Sequence, residues 1–241
     1  MKLPQGFVGA ATAAGLKSTG AKDLTLIVNQ GPKNWASAVF TTNQVIAAPV
    51  IWSKEVIKGS AVRAVVLNSG GANACTGSQG FQDTHKSAEH VASLLNHSSS
   101  EIFVCSTGMI GEFLPMDKVI NGIDVIAANL SNEALLDCAE AIMTTDSIPK
   151  ISTVQASGVQ MSGIAKGAGM LAPALATMLC VIMTDAVLPE KADSIFKDIV
   201  DKTFNRIDSD GCTSTNDTIL FMSSGASGVE IDHDQCTSML E

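Results

Sequence analysis

The sequence has no tyrosine, and Phe and Trp together make up only 4% of its 241 residues. Its apolar fraction is nevertheless 46%, so the core must consist of aliphatic side chains, Met and Ala. Basic residues are also scarce, since 15 Lys and Arg face 24 Asp and Glu and give a net charge of −9. Nucleic acids and anionic membrane surfaces bind basic patches, so this composition argues against both as partners.

Long apolar runs are missing as well. No run approaches the roughly 18 residues of a membrane-spanning helix. Residues 1–15 have neither the continuous apolar segment of a secretory signal nor the arginines of a transit peptide. These features predict a cytoplasmic protein.

The cysteines do not form a recognisable motif. None of the six has the C-x-x-C spacing of zinc and redox sites, so we expect no metal. Most have apolar or small neighbours, which predicts buried free thiols in a reducing compartment. The acidic residues 208–217 do not match a calcium loop, because Gly211 comes too early and no glutamate occupies the twelfth position.

Apolar runs alternate with turn-forming segments along the whole chain, without an internal repeat or a linker. The length allows one large domain or two small ones, and the pattern predicts both strands and helices. Strands are predicted at residues 24–28, 36–41, 61–67, 101–105, 178–183 and 218–223, with a strand–turn–strand at 152–165. Residues 42–51 are predicted to lead into a further strand. Helices are predicted at residues 79–95, 114–128, 133–143 and 191–205.

The stretch at residues 166–186, KGAGMLAPALATMLCVIMTDA, joins a loop rich in small residues to an apolar run. A bounded run of that length is typical of a strand buried on both faces. Thr177 lies where the loop meets this strand. A reactive group suits that position, because the strand fixes its geometry while the loop admits substrate.

Threonine becomes a nucleophile only when a base takes its proton, and none of the four histidines is near Thr177 in the sequence. If the bond between Ala176 and Thr177 is cut, the new α-amino group can act as that base, since it titrates near pH ~8. The small Ala176 leaves room for attack on its carbonyl. A threonine that begins a strand is also commonly structural, so the residues alone leave both interpretations open.

Two loops that follow predicted strands carry further polar groups. Residues 68–77, NSGGANACTG, could present backbone N–H groups to an anion or simply form a tight turn, but they lack the G-K-[ST] ending of a P-loop. Thr107 and Gly108 place a hydroxyl and a backbone N–H side by side, as in an oxyanion hole. Ser-Thr-Gly turns also occur without chemistry.

Taken together, the motifs resemble the ornithine acetyltransferase family, also called glutamate N-acetyltransferase or ArgJ. The central stretch is the most specific of several matches that keep one order along the chain. The others are NSGGANACTG (68–77), STGMIG (106–111), AIMTTD (141–146) and DGCTSTNDT (210–218). Family members continue well beyond the point that corresponds to Glu241, so the resemblance covers their N-terminal and central parts.

The resemblance implies self-cleavage between Ala176 and Thr177, after which Thr177 is the N-terminal nucleophile and carries the acetyl group. The Thr107 side chain and the Gly108 N–H would stabilise the oxyanion. The implied fold is α/β, with stacked β-sheets flanked by helices, of the self-processing N-terminal-nucleophile type. Residues 1–176 would form an α-chain-like segment and residues 177–241 the start of a β-chain-like segment, interleaved in one globular unit that pairs into an α2β2 assembly.

The implied reaction is ping-pong acetyl transfer from N-acetylornithine to glutamate in arginine biosynthesis. Lys166 and Thr144 would contact the amino-acid substrate, and a lysine can pair with its carboxylate. No cofactor is implied, although some family members also accept acetyl-CoA as donor. The alternatives are a related self-processing aminopeptidase or amidase, with water as acceptor, and an inactive truncated fragment.

Overall fold

Side chains of the central strands alternate between two apolar cores, and this alternation builds a layered structure. The computed structural model describes residues 1–169, 178–208 and 210–241. Its strands are β1 (Phe7–Thr12), β2 (Leu24–Asn29), β3 (Trp35–Phe40), β4 (Ala64–Asn68), β5 (Ile102–Ser106), β6 (Lys150–Ala156), β7 (Val159–Lys166), β8 (Leu179–Thr184) and β9 (Thr218–Ser223). Its α-helices are α1 (Ala48–Val56), α2 (Gly77–Leu95), α3 (Met116–Ala127), α4 (Leu135–Ala141), α5 (Ala192–Lys202) and α6 (His233–Leu240).

The strands form two mixed sheets. The first sheet has the order β1-β2-β4-β5, in which only β4 and β5 run parallel. The second sheet has the order β3-β9-β8-β7-β6, in which only β8 and β9 run parallel. The turn of the β6–β7 hairpin is formed by Ser157 and Gly158, both with positive φ, within the predicted strand–turn–strand at residues 152–165.

Strand β8 shows how the two cores arise. Leu179, Val181 and Met183 pack in the core between the sheets, whereas Cys180 and Ile182 belong to the outer core. Successive side chains of a strand point to opposite faces, so a strand covered on both sides is apolar throughout. The predicted doubly buried strand at residues 178–183 is therefore confirmed.

Helices cover the outer faces of both sheets. Helices α2 and α3 pack on the first sheet, and α5 and α6 pack on the second. Helix α4 contributes to the core between the sheets. The result is a helix–sheet–sheet–helix arrangement, which confirms the predicted α/β fold of stacked sheets flanked by helices.

The second sheet draws its strands from both sides of Thr177. Strands β3, β6 and β7 precede that residue, while β8 and β9 follow it and lie between β3 and β7. The two segments therefore share one sheet and one core. The predicted division at residue 177 itself stays a prediction.

One sequence prediction is wrong and one helix was missed. Residues 42–51 do not lead into a strand but into helix α1, with Pro49 in its first turn. Proline fits there because a first-turn N–H has no intrahelical acceptor to lose. Helix α6 was not predicted, although Asp232 and Gln235 form a capping box at its start.

All six cysteines are free. Four are buried, as the sequence predicts, whereas Cys75 and Cys212 are exposed. Among the described residues, no helix combines the length and apolar character needed to cross a membrane.

Replacing Leu220 by Ala tests the core between the sheets. Leu220 lies on the interior strand β9 and is 0% exposed, so we expect a loss of about 2–5 kcal/mol in the free energy of unfolding. Leu136→Ala is the matched control, because that side chain is 38% exposed and its loss costs about 0.5 kcal/mol. Urea denaturation measures both. Equal effects would contradict the assignment of Leu220 to the core.

Candidate active site

Three neighbouring strands of the second sheet, β7, β8 and β9, have an end at the same side of the sheet. Lys166, the last residue of β7, is in register with Leu179, the first residue of β8, which is in register with Thr218, the first residue of β9. This row places Lys166, Met178 and Asp217 near one another across the sheet.

The first sheet reaches the same place through the end of β5. The side-chain amide of Asn216 donates to the carbonyls of Ala72 (2.6 Å) and Ser106 (2.8 Å). Asn216 directly precedes Asp217, so these two bonds tie the start of β9 to the end of β5. Thr107 follows Ser106, is buried, and donates its backbone N–H to the Asn68 carbonyl at 2.9 Å.

The Thr107–Gly108 turn needs glycine at its second position. Gly108 has a φ of +131°, which side chains rarely tolerate. A Cβ on Gly108 would lie 2.7 Å from the Gly71 nitrogen and 3.0 Å from the Gly70 carbonyl carbon. The turn therefore packs directly on the backbone of the 68–77 loop, which gives both predicted oxyanion residues a fixed position.

A cleft of about 1140 Å³ opens beside this turn. Thr107, Gly108, Thr144 and Gly169 all line it, so the structure brings both predicted oxyanion residues together with one predicted substrate contact. No histidine belongs to the described lining. The described residues also contain no group of three or more His, Cys, Asp or Glu side chains arranged to hold a metal ion.

The other predicted substrate contact, Lys166, is fully buried behind the cleft. Its ammonium donates to the Thr144 hydroxyl at 3.0 Å, so the two residues that the sequence analysis paired are in contact. Burial lowers the pKa of Lys166 to about 8, although the carboxylates of Asp146 and Asp217 oppose that shift. Near neutral pH the side chain therefore keeps its charge.

Asp146 connects the segments that carry these two residues. Its carboxylate accepts the N–H of Thr144 at 3.2 Å and the N–H of Gly167 at 2.8 Å, and it pairs with the Lys150 ammonium. Burial alone would raise the pKa of Asp146, but these donors hold it below its usual value. The charged carboxylate thus fixes the loop after α4 against the end of β7.

Asp217 fixes the backbone at the start of β8, as Asp146 does at the end of β7. It is 0% exposed and accepts the Met178 N–H at 2.7 Å, while the Thr218 N–H donates to the Met178 carbonyl at 2.9 Å. Burial raises the pKa of Asp217 to about 7, and hydrogen bonds from the Met178 N–H and the Ser214 hydroxyl, together with the Lys166 cation, limit the rise. Both backbone groups of Met178 are therefore fixed.

The predicted cleavage site, Ala176 and Thr177, lies outside the described residues. Gly169, on the cleft wall, and Met178, bonded to Asp217, are the described residues on either side of that segment. The role of Thr177 as nucleophile stays a prediction.

Sequence reasoning missed three residues of the site: Asp146, Asn216 and Asp217. All three lie within motifs already recognised, AIMTTD and DGCTSTNDT. The motif letters alone do not show which Asp or Asn side chain is buried at the site. An acid directly before an apolar strand is one signal, because such a residue can bond the N–H of a neighbouring strand that begins at the same edge.

Comparisons with known proteins identify a family and a fold for the chain. The ArgJ family model matches residues 9–241. The arginine biosynthesis bifunctional protein ArgJ of Thermobifida fusca is 52% identical over 238 residues, covering 98% of this chain and 62% of the relative. That of Streptomyces coelicolor is 54% identical over 231 residues, covering 95% of this chain and 60% of the relative. The chain thus spans about three fifths of these relatives' length.

Among solved structures, ornithine acetyltransferase from Mycobacterium tuberculosis, complexed with ornithine, matches with a TM-score of 0.64 and 43% identity. The match covers 73% of this chain and 94% of that chain. A β-aminopeptidase from a Burkholderia species matches with a TM-score of 0.55 but only 10% identity, which shows a common fold and nothing more.

Gly108→Ala should destabilise the site through the contact with Gly70 and Gly71. Gly111→Ala is the matched control, because Gly111 also has a positive φ (+85°) but nothing lies within 4 Å of its added Cβ. Both variants carry backbone strain of about 1 kcal/mol, and only Gly108→Ala adds the clash, about 1–3 kcal/mol more. Thermal unfolding measures the difference. Equal melting temperatures would show that the turn does not pack as described.

Proposed function

The chain belongs to the ArgJ family, and from this premise we propose that its cleft transfers an acetyl group from N-acetylornithine to glutamate through Thr177. The observation that carries the proposal is the convergence on one cleft of Thr107, Gly108 and Thr144, with Lys166 bonded to Thr144. These four are the described residues that the sequence motifs assign to this chemistry. The reaction would belong to arginine biosynthesis in the cytoplasm.

Self-cleavage prepares the nucleophile. The Thr177 hydroxyl attacks the Ala176 carbonyl carbon, the peptide C–N bond breaks, and the nitrogen leaves as the Thr177 amine while an ester forms. Water then hydrolyses the ester, which gives a carboxylate on Ala176 and restores the hydroxyl. The product carries a nucleophile and its own base on one residue.

Acetyl transfer uses the same groups in two halves. The Thr177 amine takes the hydroxyl proton as the oxygen attacks the acetyl carbonyl of N-acetylornithine. The Thr107 hydroxyl and the Gly108 N–H stabilise the negative oxygen of the tetrahedral intermediate. The C–N bond to ornithine then breaks, and the ammonium returns the proton to the leaving nitrogen. In the second half the glutamate amine attacks the carbonyl carbon of acetyl-Thr177, and the ester C–O bond breaks. The amine proton passes through the Thr177 amine to the threonine oxygen, and N-acetylglutamate leaves.

Lys166 supplies the charge that an amino-acid substrate requires. A lysine cation beside the cleft can pair with a substrate carboxylate, and its bond to the Thr144 hydroxyl orients both groups. The ornithine bound to the M. tuberculosis neighbour supports an amino-acid ligand for this cleft.

Several further properties belong to the same proposal, because the chain spans only part of its relatives' length. They are the α2β2 assembly of the processed segments, the use of acetyl-CoA as an additional donor, and the absence of a cofactor.

Two measurements on the purified protein test the function. Intact mass should show two pieces, residues 1–176 and 177–241, in place of one species of 24.9 kDa. Ornithine release from N-acetylornithine should depend on glutamate. Release that glutamate leaves unchanged would indicate hydrolysis and favour the aminopeptidase or amidase alternative, whereas an uncut chain without activity would indicate an inactive fragment.

Thr177→Ala should abolish both self-cleavage and acetyl transfer, since it removes the hydroxyl that is the nucleophile in both reactions. We expect no cleavage and at least a ~10³-fold loss of transfer. Thr153→Ala is the control, because Thr153 is exposed on the edge strand β6 and is not part of the cleft lining. Cleavage that persists in Thr177→Ala would contradict a self-processing mechanism in which Thr177 is the nucleophile.

The KM for N-acetylornithine should rise with pH through the pKa of Lys166. The folded-state pKa of about 8 means that the cation is present below pH 8 and lost above it. A neutral lysine no longer pairs with the substrate carboxylate, so KM should increase about tenfold between pH 7 and 9.5. Lys166→Met should have a high KM at both pH values, and steady-state kinetics measure it. A wild-type KM that is independent of pH would contradict this role.

A further inference from the structure

A second lysine, Lys17, lines the candidate cleft and is half-buried there. Its ammonium donates to two backbone carbonyls, that of Met143 at 2.7 Å and that of Lys22 at 3.0 Å. An ammonium has three N–H donors, so one of them has no acceptor among the described residues. No described carboxylate forms an ion pair with Lys17, whereas Lys22, which also lines the cleft, pairs with Asp137 and Glu140.

A buried acid fixes the loop that carries Lys17. Asp23 is 0% exposed, and its carboxylate accepts three backbone N–H groups of that loop, at 2.7, 2.6 and 3.0 Å, from Ala14, Leu16 and Lys17. A Cβ on Gly70 would lie 2.2 Å from the Leu16 Cβ, so the loop also packs on the glycines that support the oxyanion turn. The Lys17 backbone therefore has a fixed position relative to that turn, as substrate recognition requires.

The cations of Lys17 and Lys166 reach the same short segment of the cleft wall. Lys17 bonds the Met143 carbonyl, and Lys166 bonds the hydroxyl of the next residue, Thr144. Burial lowers the pKa of Lys166 most, and the cations of Lys150 and Lys17 lower it further. Two like charges at one segment repel each other, and a bound anion would relieve that repulsion.

The fixed acids near Lys17 are already engaged elsewhere. Burial lowers the pKa of Lys17, and the carboxylates of Asp23 and Asp146 oppose that shift without a direct bond to the ammonium. Asp23 accepts three backbone N–H groups, and Asp146 accepts two and pairs with Lys150. The third N–H of Lys17 is thus available to water or to a ligand in the cleft.

We propose that Lys17 is a second substrate-binding cation, which pairs with the carboxylate of the amino-acid substrate together with Lys166 and makes the cleft select amides that carry a carboxylate. The inference rests on the proposed function. A carboxylate has two oxygens, so one ligand can accept hydrogen bonds from both cations at once. N-acetylornithine and glutamate each have an α-carboxylate, so the same two lysines would bind the donor and the acceptor.

Lys17→Gln removes the charge but keeps N–H donors for the carbonyls of Met143 and Lys22. The variant is assayed with N-acetylornithine and with N-acetylputrescine, which is the same amide without the carboxylate. We expect kcat/KM for N-acetylornithine to fall about 10- to 100-fold, mainly through KM, and kcat/KM for N-acetylputrescine to change less than about twofold. Equal losses on both substrates would show that Lys17 only joins two loops, and would overturn the inference.

Lys22→Gln is the matched control. It changes the net charge by the same amount at the same cleft, but Lys22 already has Asp137 and Glu140 as partners. The ratio of the two kcat/KM values should stay within about twofold of the wild-type ratio. A change as large as that in Lys17→Gln would indicate a general effect of charge and contradict a specific contact of Lys17.

A footprint of the wild-type protein requires neither a variant nor activity. N-acetylglutamate has carboxylates but no amine that reductive methylation would consume. At about ten times its Kd it should slow the methylation of Lys17 roughly tenfold, since about one molecule in eleven stays unliganded, and leave that of Lys22 unchanged. Mass spectrometry of peptides measures both rates.

The footprint separates the inference from the proposed function. A Lys17 that N-acetylglutamate does not protect overturns the inference, whether or not the protein transfers acetyl groups. A protected Lys17 in a protein that does not transfer supports the carboxylate site and overturns the proposed function alone.

Discussion

The backbone of Met178 is bonded on both sides by its neighbours on β9. Asp217 takes its N–H and Thr218 donates to its carbonyl, so the start of β8 cannot move without breaking the strand row that also contains Lys166. Every other part of the site is positioned relative to this row. Asn216 joins it to β5 and the Thr107–Gly108 turn, and Asp146 joins it to Thr144.

The electrostatics of the site differ from those of the whole molecule. The chain carries a net charge of −9, yet a buried lysine and two buried carboxylates lie close together at the ends of the second sheet. Burial moves the pKa values of Lys166 and Asp217 toward each other, to about 8 and about 7. Their mutual attraction opposes burial, so both groups respond to pH in the range where an α-amino group also titrates.

Sequence patterns predict most of the fold because apolar periodicity is a local property. The runs at β2, β5, β8 and β9 are apolar throughout, and α5 carries an apolar stripe, so each was predicted near its observed bounds. Helix α1 was not, because a proline near an apolar residue fits a strand start as well as a first helical turn. The pairing of Lys166 with Thr144 came from motif resemblance. The roles of Asp146, Asn216 and Asp217 depend on contacts between residues far apart in the chain, which no local pattern encodes.

Because strands from both sides of residue 177 are interleaved in the second sheet, folding would have to precede any cleavage at that residue. Strands β8 and β9 lie between β3 and β7, so a cut at residue 177 would leave two polypeptides that are hydrogen-bonded along two strand pairs, β3–β9 and β7–β8, and share a core. Before the cut, folding is unimolecular. After such a cut, recovery from denaturation would require two chains to find each other, so it would depend on concentration. A molecule processed in this way would persist because it unfolds slowly, and the intact chain would be the form in which the fold is first reached.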